Sequence, residues 1–180
     1  MTPRVLARTG GLHVRHPNAG DRTAFIDAAM RSRDLHTPWT TAPDTDDAFD
    51  AFLRRARRRN QSCLLVCADD GPLVGSYNLS EIVRGAFQNA FLGYYAFVPH
   101  AGRGLMRRAM PLVFHHAFDQ LGLHRLQADV QPDNVVSRAL LDTTGWREEG
   151  FAPRYLHIEG AWRDHVLYAI TAEEAPRQTS

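Results

Sequence analysis

Residues 93–110 read GYYAFVPHAGRGLMRRAM. An aromatic, β-favouring stretch is stopped by Pro99, the small-residue run His100-Ala101-Gly102-Arg103-Gly104 follows, and Leu105, Ala109, Leu112, Val113 and Ala117 then return at three- and four-residue intervals. The pattern predicts a strand over 86–98, a glycine turn and a helix over 104–121, bent at Pro111 and ended by Gly122. A strand, a glycine-rich turn and a helix N-terminus together present unpaired N–H groups and the positive end of the helix dipole, so a phosphate is the natural guest. Gly102 and Gly104 would let it approach. A lone G-x-G is a weak signal, because such a turn wants glycine anyway. The dinucleotide-binding alternative needs an early parallel βαβ unit and a third glycine, whereas this loop follows a meander of three strands.

Working outward, Leu12 and Val14 alternate as a short strand, and Phe25, Ile26 and Ala29 mark a helix over 21–33. Trp39 falls in a loop bracketed by Pro38 and Pro43. Phe49, Phe52, Leu53 and Ala56 make a helical stripe behind the acids Asp44, Asp46 and Asp47, with arginines at its end, the order that the helix dipole favours. Cys63–Ala68, a turn at Asp69-Asp70-Gly71-Pro72 and Leu73–Leu79 form a hairpin. After the central helix come a strand over 126–130, a helix over 134–144 and extended segments over 146–158 and 162–171. The predicted order is βααβββαβαββ, with seven strands.

The chain has 180 residues, 44% hydrophobic and 23% charged, with 21 cations against 20 anions, a net charge of +1. That is ordinary globular composition and the length of one domain, expected as 1–180 with a core at 11–174 and a disordered tail at 175–180. Near-neutrality gives no chain-wide drive toward DNA or membrane surfaces. All of the cations are arginine and none is lysine. This excludes Schiff-base chemistry, pyridoxal phosphate attachment and the P-loop lysine. No apolar run approaches the ~18 residues of a membrane span, and the expected location is the cytoplasm. Cys63 and Cys67 are too few and too close for a disulfide framework or a zinc site, and His115-His116 point about 100° apart on a helix, so no metal is expected.

The stretch at 93–110 resembles the acetyl-coenzyme A loop of the GNAT acetyltransferases, in their RimJ/RimL-like branch. QPDNVVSRALLDTTGWREEG at 131–150 is similar to that branch's second signature, N-x-x-S followed by a helix, Gly, an aromatic residue and Glu-Gly. RYLHIEGAWRDHVLYAI at 154–170 resembles its last two strands. The resemblance implies the GNAT fold: α/β (α+β), with a mixed, mostly antiparallel twisted sheet of about seven strands flanked by helices and splayed where acetyl-CoA binds.

It also implies roles. The family's loop pattern, Gln/Arg-x-x-Gly-x-Gly/Ala, places Ala101 first, Gly104 at the invariant glycine and Met106 last. The backbone amides of Gly102, Arg103, Gly104, Leu105 and Met106 would hold the pyrophosphate, and Arg103, Arg107 and Arg108 would make up for the missing polar residue at 101. The backbone of Phe97 and Val98 would meet the pantetheine arm, with the Val98 N–H polarising the acetyl carbonyl. Asn134 would bond the coenzyme and Ser137 would assist the departing thiolate; the bland readings are a helix N-cap and a surface serine. Where many members of the branch carry an acid before the loop this chain has Phe91, so Glu81, Asn89 and Tyr94 stand as bases, Glu81 foremost. Trp39 would line the acceptor pocket or pack in the core.

The expected activity is acetyl transfer from acetyl-CoA to a primary amine by direct attack in a ternary complex, with the α-amino group of a protein or peptide as acceptor. The alternatives are a small amine, such as an antibiotic or metabolite, and a non-catalytic acyl-CoA- or RNA-binding protein of the same fold. Arg54, Arg55, Arg57, Arg58 and Arg59 put five cations in six positions. A solvated helix end explains them, and contact with a ribosome or RNA is the functional alternative. The oligomeric state is left open.

Overall fold

Cys63–Ala68 is apolar at nearly every position, which requires cover on both faces of the strand. In the structure, a computed structural model describing residues 4–176, that segment is the third strand of an eight-stranded sheet. The elements are β1 (Val5–Thr9), β2 (Leu12–Arg15), α1 (Arg22–Arg31), α2 (Arg33–His36), α3 (Asp46–Ala56), β3 (Ser62–Ala68), β4 (Leu73–Val83), β5 (Asn89–Ala96), α4 (Leu105–Phe114), β6 (Arg125–Val130), α5 (Val135–Asp142), β7 (Arg147–Ile158) and β8 (Ala161–Thr171). The spatial order is β1-β2-β3-β4-β5-β6-β8-β7. Only β5 and β6 run parallel; every other pair is antiparallel.

The sheet carries one strand more than the seven expected. β1 is a five-residue edge strand, VLART, half-buried and paired with β2 alone, and it has no clean period-two alternation to read. The central helix also differs. It is α-helical to Phe114 and continues as a π-helical turn over His115–Gln120, in which the Leu121 amide reaches the His116 carbonyl. Pro111 lies four residues upstream, and a change of ladder near proline is a usual way to bend a helix.

β3 shows how the layers form. Leu64 and Val66 face a core with Ala109, Leu112 and Val113 of α4, while Cys63, Leu65 and Cys67 face a second core with Phe25 of α1 and Phe49, Phe52 and Leu53 of α3. The α3 stripe is the one that the spacing predicts. Thr45 caps it by accepting from the Ala48 amide at 3.3 Å, with Asp46 and Asp47 in the first turn. No helix among the described residues is long and apolar enough to cross a membrane.

Two features position the site. The β5–β6 ladder stops at Phe91–Gln127, so Leu92–Ala96 and Ala128–Val130 diverge and leave a gap in the sheet. Gly75 then brings β4 close beneath it: a Cβ there would lie 2.5 Å from the Tyr95 carbonyl oxygen and 2.6 Å from the Met106 sulfur. Of the expected tail, Ala175 donates its amide to the Thr171 carbonyl and Pro176 packs against Gly145; residues 177–180 lie outside the described residues.

Candidate functional site

A cleft of about 310 Å³ opens along β5, between the start of α4 and the start of α5. One wall is the glycine turn entering α4, with Gly102, Gly104, Leu105, Met106 and Arg107; the other is Asn134, Val136, Ser137 and Leu140 of α5; its floor is Tyr94, Tyr95 and Ala96 of β5. A second cleft of about 150 Å³ is lined by Gly93, Asp129, Gln131, Leu156, Ile158 and His165. Both share Trp39, Thr40, Tyr94, Asn134 and Ser137. They therefore meet at the start of α5.

The turn is built for an anion. Gly102 and Gly104 have φ of +74° and +71°, where L side chains are strained, and a Cβ on either would stand in open space. Among the described residues, no acceptor takes the amides of Gly102 through Arg107; the ladder begins with the Arg108 amide donating to the Gly104 carbonyl at 3.0 Å. Six consecutive N–H groups are thus available at the positive end of α4. Tyr77, buried beneath, donates its hydroxyl to the Met106 carbonyl at 2.9 Å and fixes the turn. Arg103 and Arg107 form no ion pair among the described residues, whereas Arg108 donates to the Gly10 carbonyl and is tied to the β1–β2 turn. These groups fit a pyrophosphate, and the apolar floor fits an acyl arm.

At the junction, the Tyr94 hydroxyl lies 2.6 Å from Ser137 Oγ. Burial pushes the Tyr94 phenol well up from its usual value, with the Ser137 hydrogen bond opposing. Tyr94 therefore stays protonated and can pass a proton to Ser137. Asn134 Oδ1 accepts from the Ser137 amide at 3.1 Å, so this residue is the N-cap of α5, and among the described residues no acceptor takes its Nδ2, which lies beside both clefts. The bland reading of Asn134 holds without excluding the other.

Four expected positions, Phe97, Val98, Glu81 and Asn89, are not brought to either cleft. Phe97 is fully buried, its ring edge-on to Phe25 at 5.3 Å, and its amide donates to the Val74 carbonyl at 2.8 Å. The Val98 amide donates to Ser32 Oγ at 3.0 Å. Both backbone donors are therefore used inside the fold, and the strand that faces the gap is Tyr94–Ala96 instead. Glu81 is exposed, with φ of +47°, in an irregularity of β4 at the opposite end of the strand from Gly75, and it lines neither cleft. Asn89 is buried, donating to Gln127 Oε1 at 2.9 Å.

Other groups appear that the motifs did not mark. His36 lines the first cleft with Nε2 2.8 Å from the Ala96 carbonyl oxygen, and burial lowers its pKa, leaving it neutral. Asp129 lines the second cleft, where burial pushes its carboxyl up to about 6. The alternation Leu126, Ala128, Val130 against Gln127, Asp129, Gln131 announces a polar face on β6, but not that the face borders a gap. Among the described residues, no cluster of three or more His, Cys, Asp or Glu side chains could hold a metal.

Comparison with known proteins matches residues 12–147 to the Acetyltransferase (GNAT) domain family. A probable N-acetyltransferase, YjcK of Bacillus subtilis, is 43% identical over 103 residues, a match spanning only 57% of each chain. The [ribosomal protein uS5]-alanine N-acetyltransferase of Escherichia coli is 29% identical over 96% of this chain and 93% of its own. The solved structure of Mycobacterium smegmatis RimJ in complex with CoA-disulfide superposes with a TM-score of 0.84 at 32% identity, covering 98% of this chain and 88% of that one.

Proposed function

The chain belongs to the GNAT acetyltransferase family, as an acetyl-CoA-dependent N-acyltransferase, and on that premise we propose that its acceptor is the α-amino group of a protein or peptide, acetylated by direct attack in a ternary complex. The observation that carries this reading is the meeting of the two clefts at Tyr94 and Ser137. Donor and acceptor can enter from separate sides and come together at one hydroxyl pair, which is the positioning that a bimolecular transfer needs.

Acetyl-CoA supplies a thioester carbonyl that a neutral amine attacks. The amides of Gly102–Met106, with Arg103 and Arg107, hold the pyrophosphate; Tyr94–Ala96 line the acyl arm; Asn134 Nδ2 donates to the coenzyme. Ser137 gives its proton to the departing sulfur and is resupplied through Tyr94. The family's transfer needs no covalent enzyme intermediate. The unit doing this is a single domain with its core at 11–174.

The acceptor class rests on two supports. The uS5-alanine N-acetyltransferase and RimJ relatives align over nearly the whole chain. A polyamine also carries several cations and calls for several carboxylates, whereas Asp129 is the one acid lining the second cleft. The same reading places the protein in the cytoplasm, where the exposed arginines at 54–59, in no ion pair among the described residues, suit an acidic or RNA-bearing partner. Mass spectrometry after incubation with labelled acetyl-CoA decides. Label on the α-amino group of Ala- or Ser-leading peptides is expected, and preferential labelling of spermidine or of an internal amine would overturn the reading.

A further inference from the structure

We propose that Asp129 is the general base of this enzyme: its carboxylate takes the proton that the acceptor ammonium must lose in the second cleft. The proposal rests on the reading of that cleft as the acceptor side. Asp129 is the last polar residue of β6 and borders the gap, two positions past Gln127, where the β5–β6 ladder ends. Its Oδ1 is buried and finds no hydrogen-bond partner among the described residues. A buried carboxylate oxygen without a donor is costly, and an ammonium is the partner that would relieve it. Tyr94 and Ser137 line the same cleft, so an amine seated on Asp129 lies beside the hydroxyl pair proposed to serve the leaving sulfur.

The charges around it support the role. Burial alone pushes the Asp129 carboxyl up. Tyr94 on β5 and Tyr155 on β7 are held protonated, and burial keeps His165 on β8 neutral. Arg125 of β6 is taken by Glu149, Asp164 of β8 accepts from the Arg154 amide, and Arg163 of β8 forms no ion pair among the described residues. A carboxyl titrating near 6 is ionised at neutral pH yet basic enough to relay a proton. His165 is the competitor, but its Nδ1 lies 2.9 Å from the Arg163 carbonyl oxygen.

The protons balance. The ammonium gives one proton to Asp129, which releases it to solvent. The neutral nitrogen forms the C–N bond as the C–S bond breaks, and the second proton it loses replaces the one that Ser137 gives to sulfur, leaving amide and thiol.

The test compares wild type with Asp129→Asn and His165→Asn, using an Ala-leading peptide between pH 5 and 9 and CoA-dependent melting as a check on donor binding. Asp129→Asn should lower kcat/KM by roughly 100-fold or more near pH 7, abolish the rising limb near pH 6, recover some of the rate at pH 9, and keep the CoA-induced shift in Tm. It should also melt higher than wild type at pH 8, because an unpaired buried charge is gone. A rate within threefold of wild type, a lower Tm, or a limb that disappears only in His165→Asn would overturn the assignment. Should the wild type bind CoA and leave the peptide unmodified, the acceptor class fails separately. The base is then read from carbon-13 NMR of Asp129 in the CoA-bound protein, where a carboxyl titrating at the ordinary ~3.9 overturns it.

Discussion

Tyr94 on β5 and Ser137 on α5 share a 2.6 Å hydrogen bond across the gap in the sheet, where the two clefts join. The pair exists because the β5–β6 ladder stops at Phe91–Gln127 and the start of α5 closes over the opening. Removing either hydroxyl should lower kcat by roughly 10–100-fold with little change in the KM for acetyl-CoA, since the pair is proposed to act only as the C–S bond breaks. Because the two work in series, Tyr94→Phe combined with Ser137→Ala should be no worse than the weaker single variant. Steady-state kinetics on the three proteins checks this, and additive losses would separate their roles.

Gly104→Val meets two obstacles. The backbone φ of +71° strains a β-branched residue, at a cost of ~1–3 kcal/mol, and the new side chain would occupy the open space over the amides. Millimolar CoA should raise the Tm of the wild type and leave the variant unmoved. Normal CoA binding by Gly104→Val would place the pyrophosphate elsewhere.

Asn134 both caps α5 and offers Nδ2 to the clefts. Asn134→Ala should therefore lose about 1 kcal/mol of stability and raise the KM for acetyl-CoA about 5-fold or more with kcat little altered. Asn134→Ser, which can still cap, separates the two: stability should return and the KM should stay high.

Glu81 sits at a left-handed φ with its side chain in solvent, away from both clefts. Glu81→Gly should leave kcat/KM unchanged across pH and stabilise the fold by ~0.5–1 kcal/mol, as glycine relieves the conformational strain. A pH-dependent loss of rate would restore it to the mechanism.

An acid-stability limb should come from Glu149. It is the extra residue where β7 shifts register against β8, so its carboxylate reaches across β8 to Arg125 and also meets Arg147 at 2.8 Å. Hydrogen bonds from these arginines lower its pKa to about 2, below the ordinary ~4.3 of the unfolded chain. The stabilisation is full above pH ~4.3 and is lost as the pH falls toward 2. Glu149→Gln should lower the Tm at pH 7 and narrow its gap to wild type at pH 3; a constant difference would remove Glu149 as the source.

The alternating and three-to-four periodicities of the sequence determined the element order apart from the edge strand β1 and the short α2, together with the buried stripes of α3 and α4 and the glycine turn, because burial of regular faces and positive φ are local demands. The second signature likewise located α5 with Asn134 and Ser137. What only the tertiary structure decided is which groups near those motifs remain free. Val98 has the right neighbours in sequence, but Ser32, distant in sequence and between α1 and α2, takes its amide; Glu81 is an acid in a plausible strand, but the strand carries it to the far end. Asp129 carries no motif. It borders the site because the β5–β6 ladder ends just before it, at Gln127, and it lines a cleft whose other walls come from β5, β7 and β8, a convergence of segments that no single stretch of chain encodes.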